Sequence, residues 1–358
     1  MKHNIKQIQG IFMCVACSNC FQDQGLKLDA RQIGTQDRSN CPRCGVKDGF
    51  KLNNDDLIAL AHRFFVWGSL LRVDYGAAPL IQFNEHQKTS IKVSHWLSDD
   101  IKIFEEILDI GFFHYGPRLW MLGEIEPLKM LQNIETRAST IEELFALYPS
   151  KSLSHSNLFY RIRVAPDDPT NIAQFDSPPN EFSGHGRFCS KNLPILYASP
   201  DLQVCIHECR VKADDEVFVA TMRPEKELKL FDLSVAPEEN VSEFDSFDIA
   251  MHMLFMAGEY SYEITKDIAK FAMSNGYDGI IYPSYFTNLR MGLMPLPTAY
   301  GVSVRLFPEF KQHNSDLTIP NLAIFGRPVL QKKLKIDCIN KLIISKAEYS
   351  FHFGPIEN

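Results

Sequence analysis

No apolar run in the sequence reaches the length of about eighteen residues that a membrane-spanning helix needs. Positive charge is not in excess either. The 37 lysines and arginines stand against 44 aspartates and glutamates, a formal net charge of -7. That balance argues against general nucleic-acid binding and against an anionic membrane surface, both of which draw on a basic stripe. A phosphate-bearing ligand would have to be held by local arginines. The first residues, Met1-Lys2-His3-Asn4-Ile5-Lys6-Gln7, lack the apolar stretch of a secretory signal, so a cytoplasmic protein is the expectation. Internal repeats and low-complexity segments are missing too. What is present is apolar material, 45% of 358 residues, enough for two domains with separate cores.

The nine cysteines, an odd number without a secretory signal, do not suit a disulfide framework. Five of them fall within the first 44 residues, as Cys14, Cys17, Cys20, Cys41 and Cys44. Cys17-Ser18-Asn19-Cys20 and Cys41-Pro42-Arg43-Cys44 are two C-x-x-C knuckles with twenty residues between them. Each short loop aims two thiolates at one ion, and four thiolates complete the tetrahedral shell of a structural zinc. Residues 1–50 are therefore expected to form a zinc-binding cysteine module, with buried free thiols as the alternative. Cys14 also stands in C-x-x-C spacing to Cys17 and competes for the ligand role. A shell of four sulfurs leaves no position for water, so the metal would be structural.

From 51 to 149 the apolar period is helical. Asn54 is placed to cap a helix beginning at Asp55-Asp56, with Leu57, Leu60, Ala61, Phe64, Phe65 and Leu71 on its apolar side. Ser98-Asp99-Asp100 reads as the start of a second helix, and Thr140-x-x-Glu143 as a capping box. Residues 150–157 are serine-rich, without apolar period, and read as a linker. Beyond them, strand-like runs recur at 158–164, 195–198, 217–222, 228–232, 279–282 and 302–307. A helix is expected from Ile264 to Asn275, ending before Gly276. Alternation at 333–344 suggests an edge strand. The fold class is α+β: a cysteine module, a small helical domain, and a mixed β-rich domain from 158 to 358.

Within that last domain, Phe159-Tyr160-Arg161-Ile162-Arg163, Gly184-His185-Gly186-Arg187-Phe188, Leu196-Tyr197-Ala198, Cys205-Ile206-His207-Glu208-Cys209 and Tyr282-Pro283-Ser284 carry the chemistry. Guanidinium groups fork two donors onto phosphate oxygens, and a carboxylate among apolar neighbours suits a cationic transition state. Each residue also has a plainer reading. Glu208 fits the solvated face of a helix, Arg187 a hairpin, Tyr197 a core strand, and Ser284 a turn. Arg163 is an alternative to Arg161, because residues two apart on a strand share one face. His207 would point away from Glu208 on a helix.

Taken in order, these motifs resemble the RES domain, whose name comes from an arginine, a glutamate and a serine. The resemblance covers roughly residues 155–310. It implies an ADP-ribosyltransferase-like fold and an enzyme that degrades NAD, often a toxin held by an antitoxin. By position it assigns Arg161, Glu208 and Ser284 to catalysis, and Arg161, Arg187, Tyr197 and Ser284 to the nucleotide. The sequence departs from the family at Phe188-Cys189-Ser190, where many relatives carry tryptophan or asparagine. The helical segment between the knuckles and this region resembles the HEPN-type domain that accompanies some RES proteins. None of His62, His86, His95 or His114 follows an arginine at the nuclease spacing of HEPN enzymes, so a regulatory or dimerising role fits better.

The resemblance implies an NAD glycohydrolase or phosphorylase that cleaves the nicotinamide–ribose bond as a toxin or defence effector. NAD would be its substrate, zinc its structural metal, and a protein inhibitor or antitoxin its partner, with a homo-oligomer left open. The rivals are ADP-ribosyl transfer to a macromolecule and a nucleotide-binding sensor without turnover.

Overall fold

In the computed structural model, the described residues are 13–73, 76–115, 125–179, 186–284, 318–347 and 351–356. They divide into two compact units, one of residues 1–72, 77–119 and 349–358, the other of 73–76 and 120–348. Among the described residues, no helix is long and apolar enough to cross a membrane.

The first unit mixes short strands with helices. Strands β1 (Ala16–Cys17), β2 (Thr35–Gln36) and β3 (Phe50–Leu52) form a sheet in the order β1-β3-β2. The two-stranded ribbons are β4 (Leu70–Val73) with β5 (Gly76–Pro79), and β6 (Ile81–Asn84) with β7 (Gly111–His114). Helix α1 (Gln24–Ile33) is capped by Asp23, whose carboxylate accepts from Leu26 N–H at 2.9 Å. Helix α2 (Asn54–Ala61) starts one residue before the expected place, because Asn53 and Asp56 form a reciprocal capping box. Helix α3 (His95–Leu108) starts a turn early for a different reason. Asp100 is not a first-turn acid; its buried carboxylate accepts from the N–H groups of Gln22 and Asp23, both at 2.7 Å. Leu26, Leu52, Leu60, Phe65, Phe104 and Phe112 make the core of this unit.

Helices α4 (Glu126–Gln132) and α5 (Ile134–Leu147) belong to the second unit, which corrects the expectation of one helical domain over 51–149. Leu128, Leu131, Ile141 and Leu144 bury their apolar stripe in a core shared with Phe231, Ile268 and Ile280. Thr140 does not open a capping box. It lies mid-helix, its hydroxyl donating to Thr136 O at 2.9 Å, while Asn133 supplies the cap. The expected linker is also corrected: Ser150–Leu153 is strand β8. It has no apolar period because it lies at the edge of its sheet with three of its four side chains exposed.

That sheet has five strands in the order β10-β14-β13-β12-β8, where β10 is Ile195–Ala198, β12 Leu228–Asp232, β13 Gly279–Pro283 and β14 Pro320–Phe325. Only the β12–β13 pair is parallel. A second sheet runs β15-β11-β9, from Leu334–Leu342, Val217–Pro224 and Phe159–Val164. Alternation of side chains sets the layers. Leu196, Ile281 and Ile324 point into the core between the sheets with Phe159 and Met222. Ile195, Ile280 and Ala323 point the other way, toward α4, α5, α7 (Phe247–Met256) and α8 (Tyr262–Ser274). Helix α6 (Leu202–Glu208) covers the other face of the three-stranded sheet, packing Cys205 on Ile162 and Val219. The architecture is α+β. Helix α8 stops before Gly276, whose φ of 76° lies in the left-handed region that glycine tolerates. The run 302–307 and the turn residues Gly184 and His185 lie outside the described residues.

Candidate functional site

Two groups of chemically capable side chains stand out, one in each unit. In the first, Cys17, Cys20, Cys41 and Cys44 place their sulfurs within 4.8 Å of one another. Cys17 lies 3.9 Å from Cys20 and 3.5 Å from Cys44, and Cys20 lies 3.6 Å from Cys41. Four sulfurs at about 2.3 Å from a central zinc would stand about 3.8 Å apart, so the residues present fit that ion. Burial pushes the Cys17 thiol up to about 11. Cys41 is held at about 7 in spite of its burial, because the N–H groups of Cys44 and Arg43 and the thiols of Cys20 and Cys17 donate to it. Cys14 is not one of these four; its thiol donates to Ala16 O at 3.1 Å and lies beside Cys41, and burial, then the neighbouring Cys41, raise it above the ordinary thiol value. Lys51, fully buried and directly across from Cys17 in the strand register, donates to the carbonyls of Val46 and Lys47 just after the second knuckle.

The second group lines a cleft of about 470 Å³ in the other unit. That volume is within the range of small-molecule sites. Arg161 and Arg163 stand on one face of β9, and both donate to the carbonyl of Asp176, at 3.2 and 2.8 Å. Arg161 also donates to Tyr197 O at 2.7 Å, while its Nε has no partner among the described residues. Burial, and then the neighbouring charge of Arg163, lower Arg161 to about 9, which still leaves it cationic at neutral pH.

Arg187 follows the glycine turn and takes on a structural task as well. Its two terminal nitrogens donate to Leu254 O at 3.0 Å, Ser261 Oγ at 2.8 Å, Phe255 O at 3.0 Å and Ala257 O at 2.9 Å. Three of these are carbonyls at the C-terminal end of α7, where helical partners run out and a cation is favoured. The guanidinium also lies 5.4 Å from the ring centre of Tyr262. A phosphate reaching Arg187 must share it with these acceptors. Gly186 is required by what packs on it: a Cβ there would lie 2.6 Å from the Tyr197 hydroxyl. That hydroxyl accepts from Phe188 N–H at 3.0 Å, and burial raises its pKa above the ordinary tyrosine value.

Glu208 ends α6, where the helix dipole disfavours a carboxylate. Two donors offset this. Ser284 Oγ donates to Glu208 Oε1 at 2.8 Å, and Asn321 Nδ2 donates to the same oxygen at 2.6 Å. Ser284 follows β13, and Asn321 is the second residue of β14, directly opposite Tyr282 in the register. Tyr282 has its pKa raised, first by burial and then by the charge of Glu208.

The structure thus brings Arg161, Arg187, Tyr197 and Glu208 to one cleft, with Ser284 bonded to the glutamate. Arg163 lines it as well, whereas His207 is not among the lining residues. Sequence reasoning missed Asn321 and Tyr282 as site residues, and missed strand β14 altogether. The signal was there in Leu322-Ala323-Ile324-Phe325 followed by Gly326, but Pro320 at the start conceals a strand that admits proline only as its first residue.

The family model of the RES domain matches residues 158–304. That span contains Arg161, Arg187, Tyr197, Glu208 and Ser284 and stops short of Asn321. Among solved structures, the chain is similar to one in the M. tuberculosis MbcT-MbcA toxin-antitoxin complex, at 13% identity over 57% of this chain and 91% of that chain. The TM-score of 0.28 is too low to carry a structural argument. No curated protein matches the sequence.

Proposed function

We propose that the second unit cleaves NAD at the bond between nicotinamide and ribose, as a glycohydrolase or phosphorylase of the RES type. The observation that carries this reading is the ordered Glu208 carboxylate, set by Ser284 and Asn321 in a cleft that also holds Arg161. Breaking the bond leaves positive charge on the sugar, as in other glycosyl transfers. The pair of electrons departs with nicotinamide, which leaves neutral, so no general acid is needed. Glu208 then stabilises the cationic sugar or orients the water or phosphate that captures it. A fixed carboxylate is effective there because it does not reorganise as charge develops.

Arg161, whose buried Nε has no partner among the described residues, brings positive charge to the cleft for a phosphate, and Arg187 contributes a second. Tyr197 shapes the wall between them. The four-cysteine group holds a structural zinc in this account, and it takes no part in the reaction. A protein inhibitor that covers the cleft is the partner such an activity calls for.

The test is release of free nicotinamide from NAD by the purified chain, followed by chromatography with and without phosphate or candidate acceptors. Release with ADP-ribose as co-product supports hydrolysis, and release only with phosphate supports phosphorolysis. Label transferred to a macromolecule would favour ADP-ribosyl transfer. No release under any of these conditions would overturn the reading.

A further inference from the structure

We propose that Asn321 is a positioning residue of the NAD-cleaving site, fixing one oxygen of Glu208 so that the other is presented to the sugar. The proposal rests on the NAD-cleaving reading given above. Asn321 lies outside the residues matched by the RES domain model. Its side chain is buried, with 3% of its surface exposed, and it sits on a central strand of the five-stranded sheet, so its amide is held by a rigid element.

The geometry gives Asn321 a definite task. A carboxylate cannot donate when ionised, so the amide must turn its nitrogen toward Glu208 and its oxygen away. Both Asn321 Nδ2 and Ser284 Oγ reach Oε1, at 2.6 and 2.8 Å. Two donors on one oxygen fix the rotation of the carboxylate group, and among the described residues none donates to Oε2. Oε2 is thus the oxygen available to a cationic sugar or to its incoming nucleophile. Ser284 alone would leave the group free to swing about a single bond, since a hydroxyl rotates to follow its acceptor. Asn321, anchored opposite Tyr282, removes that freedom.

The experiment compares wild type with Asn321→Ala, Glu208→Gln and the double variant, measuring kcat, KM, NAD affinity and melting temperature on the full chain. Asn321→Ala is expected to lower kcat about ten- to hundredfold, the range for losing a hydrogen bond to a charged group, with KM changed by less than about threefold. In the Glu208→Gln background the same change should have little further effect, because a positioning residue acts through the group it positions. A merely structural asparagine would lower both backgrounds by the same factor. If Asn321→Ala melts below the assay temperature, Asn321→Ser keeps a small polar side chain too short to reach Oε1, and the same cycle is read with it.

An unchanged kcat in the asparagine variants while Glu208→Gln loses turnover would overturn the proposal and leave the NAD reading standing. Equal factors in both backgrounds would overturn it too. Normal turnover by Glu208→Gln, or no nicotinamide release by the wild type, would remove the NAD reading itself and the proposal with it.

Discussion

In the first unit, four sulfurs reach one point from two loops, each supplying its pair within four residues. In the second, Arg161, Glu208, Ser284 and Asn321 come from a strand, a helix end, the exit of another strand and the start of a third. The contrast is between a site written in local spacing and one written in topology. Chelation needs only that a few ligands converge, and a C-x-x-C loop achieves half of that by itself. The cleft needs a sheet whose strands come from widely separated segments, so its geometry exists only when the whole unit is folded. The cysteine group leaves no open coordination position in a four-sulfur shell. The carboxylate of Glu208, by comparison, has both of its donors on one oxygen and, among the described residues, none on the other.

The sharpest way to break the comparison is to cut the chain. A fragment beginning at residue 151 lacks α4 and α5, which bury Leu128, Leu131, Ile141 and Leu144 against Phe231 and Ile280. At about 1.5–3 kcal/mol for each fully buried side chain, the four together contribute about 6–12 kcal/mol, comparable with the whole margin of about 5–15 kcal/mol of a typical domain. That fragment is expected to be unfolded by circular dichroism, whereas residues 120–348 should fold and cleave NAD. A folded, active fragment from 151 onward would show that the two helices are dispensable.

The cysteine group is next in size. About one zinc per chain should copurify, and Cys41→Ser should lose it together with the folding free energy that the metal supplies, on the order of 10 kcal/mol in small zinc modules. Elemental analysis and hydrogen exchange over 13–52 check this. Full protection of that segment in metal-free protein would make the thiols simple core residues.

Arg187→Ala should have a mixed effect, because the side chain holds the end of α7 as well as lining the cleft. Stability is expected to fall by about 3 kcal/mol from carbonyls left without a charged donor, and NAD affinity to fall with it. Weaker binding with an unchanged melting temperature would assign the residue to ligand alone. The smallest effect expected is that of Gly186→Ala, about 1–3 kcal/mol, since its Cβ must displace the Tyr197 hydroxyl. Denaturant titration reads it.

How far the sequence discloses each region follows from the same contrast. The knuckle spacing pointed to Cys17, Cys20, Cys41 and Cys44 with Cys14 as a competitor, and it is the sulfurs of those four that meet. Strands 195–198 and 228–232 were legible residue for residue, because short apolar runs bounded by turns leave little choice. Arg161, Glu208 and Ser284 stood out only through the resemblance to the RES domain. Nothing local marks Glu208, whose helix position alone suggests a solvated face. Asn321 was invisible because its partner lies 113 residues away in sequence. The second role of Arg187 was hidden for the same reason, since it depends on where α7 ends. Serines 150 and 152 read as part of a linker because an edge strand needs no apolar alternation on an exposed face.

The most direct measurement of the account is nicotinamide release by Glu208→Gln beside wild type. The substitution keeps the shape and removes the charge. Turnover should fall about hundredfold, corresponding to a few kcal/mol of lost stabilisation of the cationic sugar, with NAD affinity and melting temperature nearly unchanged. A Glu208→Gln protein that releases nicotinamide at the wild-type rate would contradict the account, because the carboxylate held by Ser284 and Asn321 would then have no part in the chemistry.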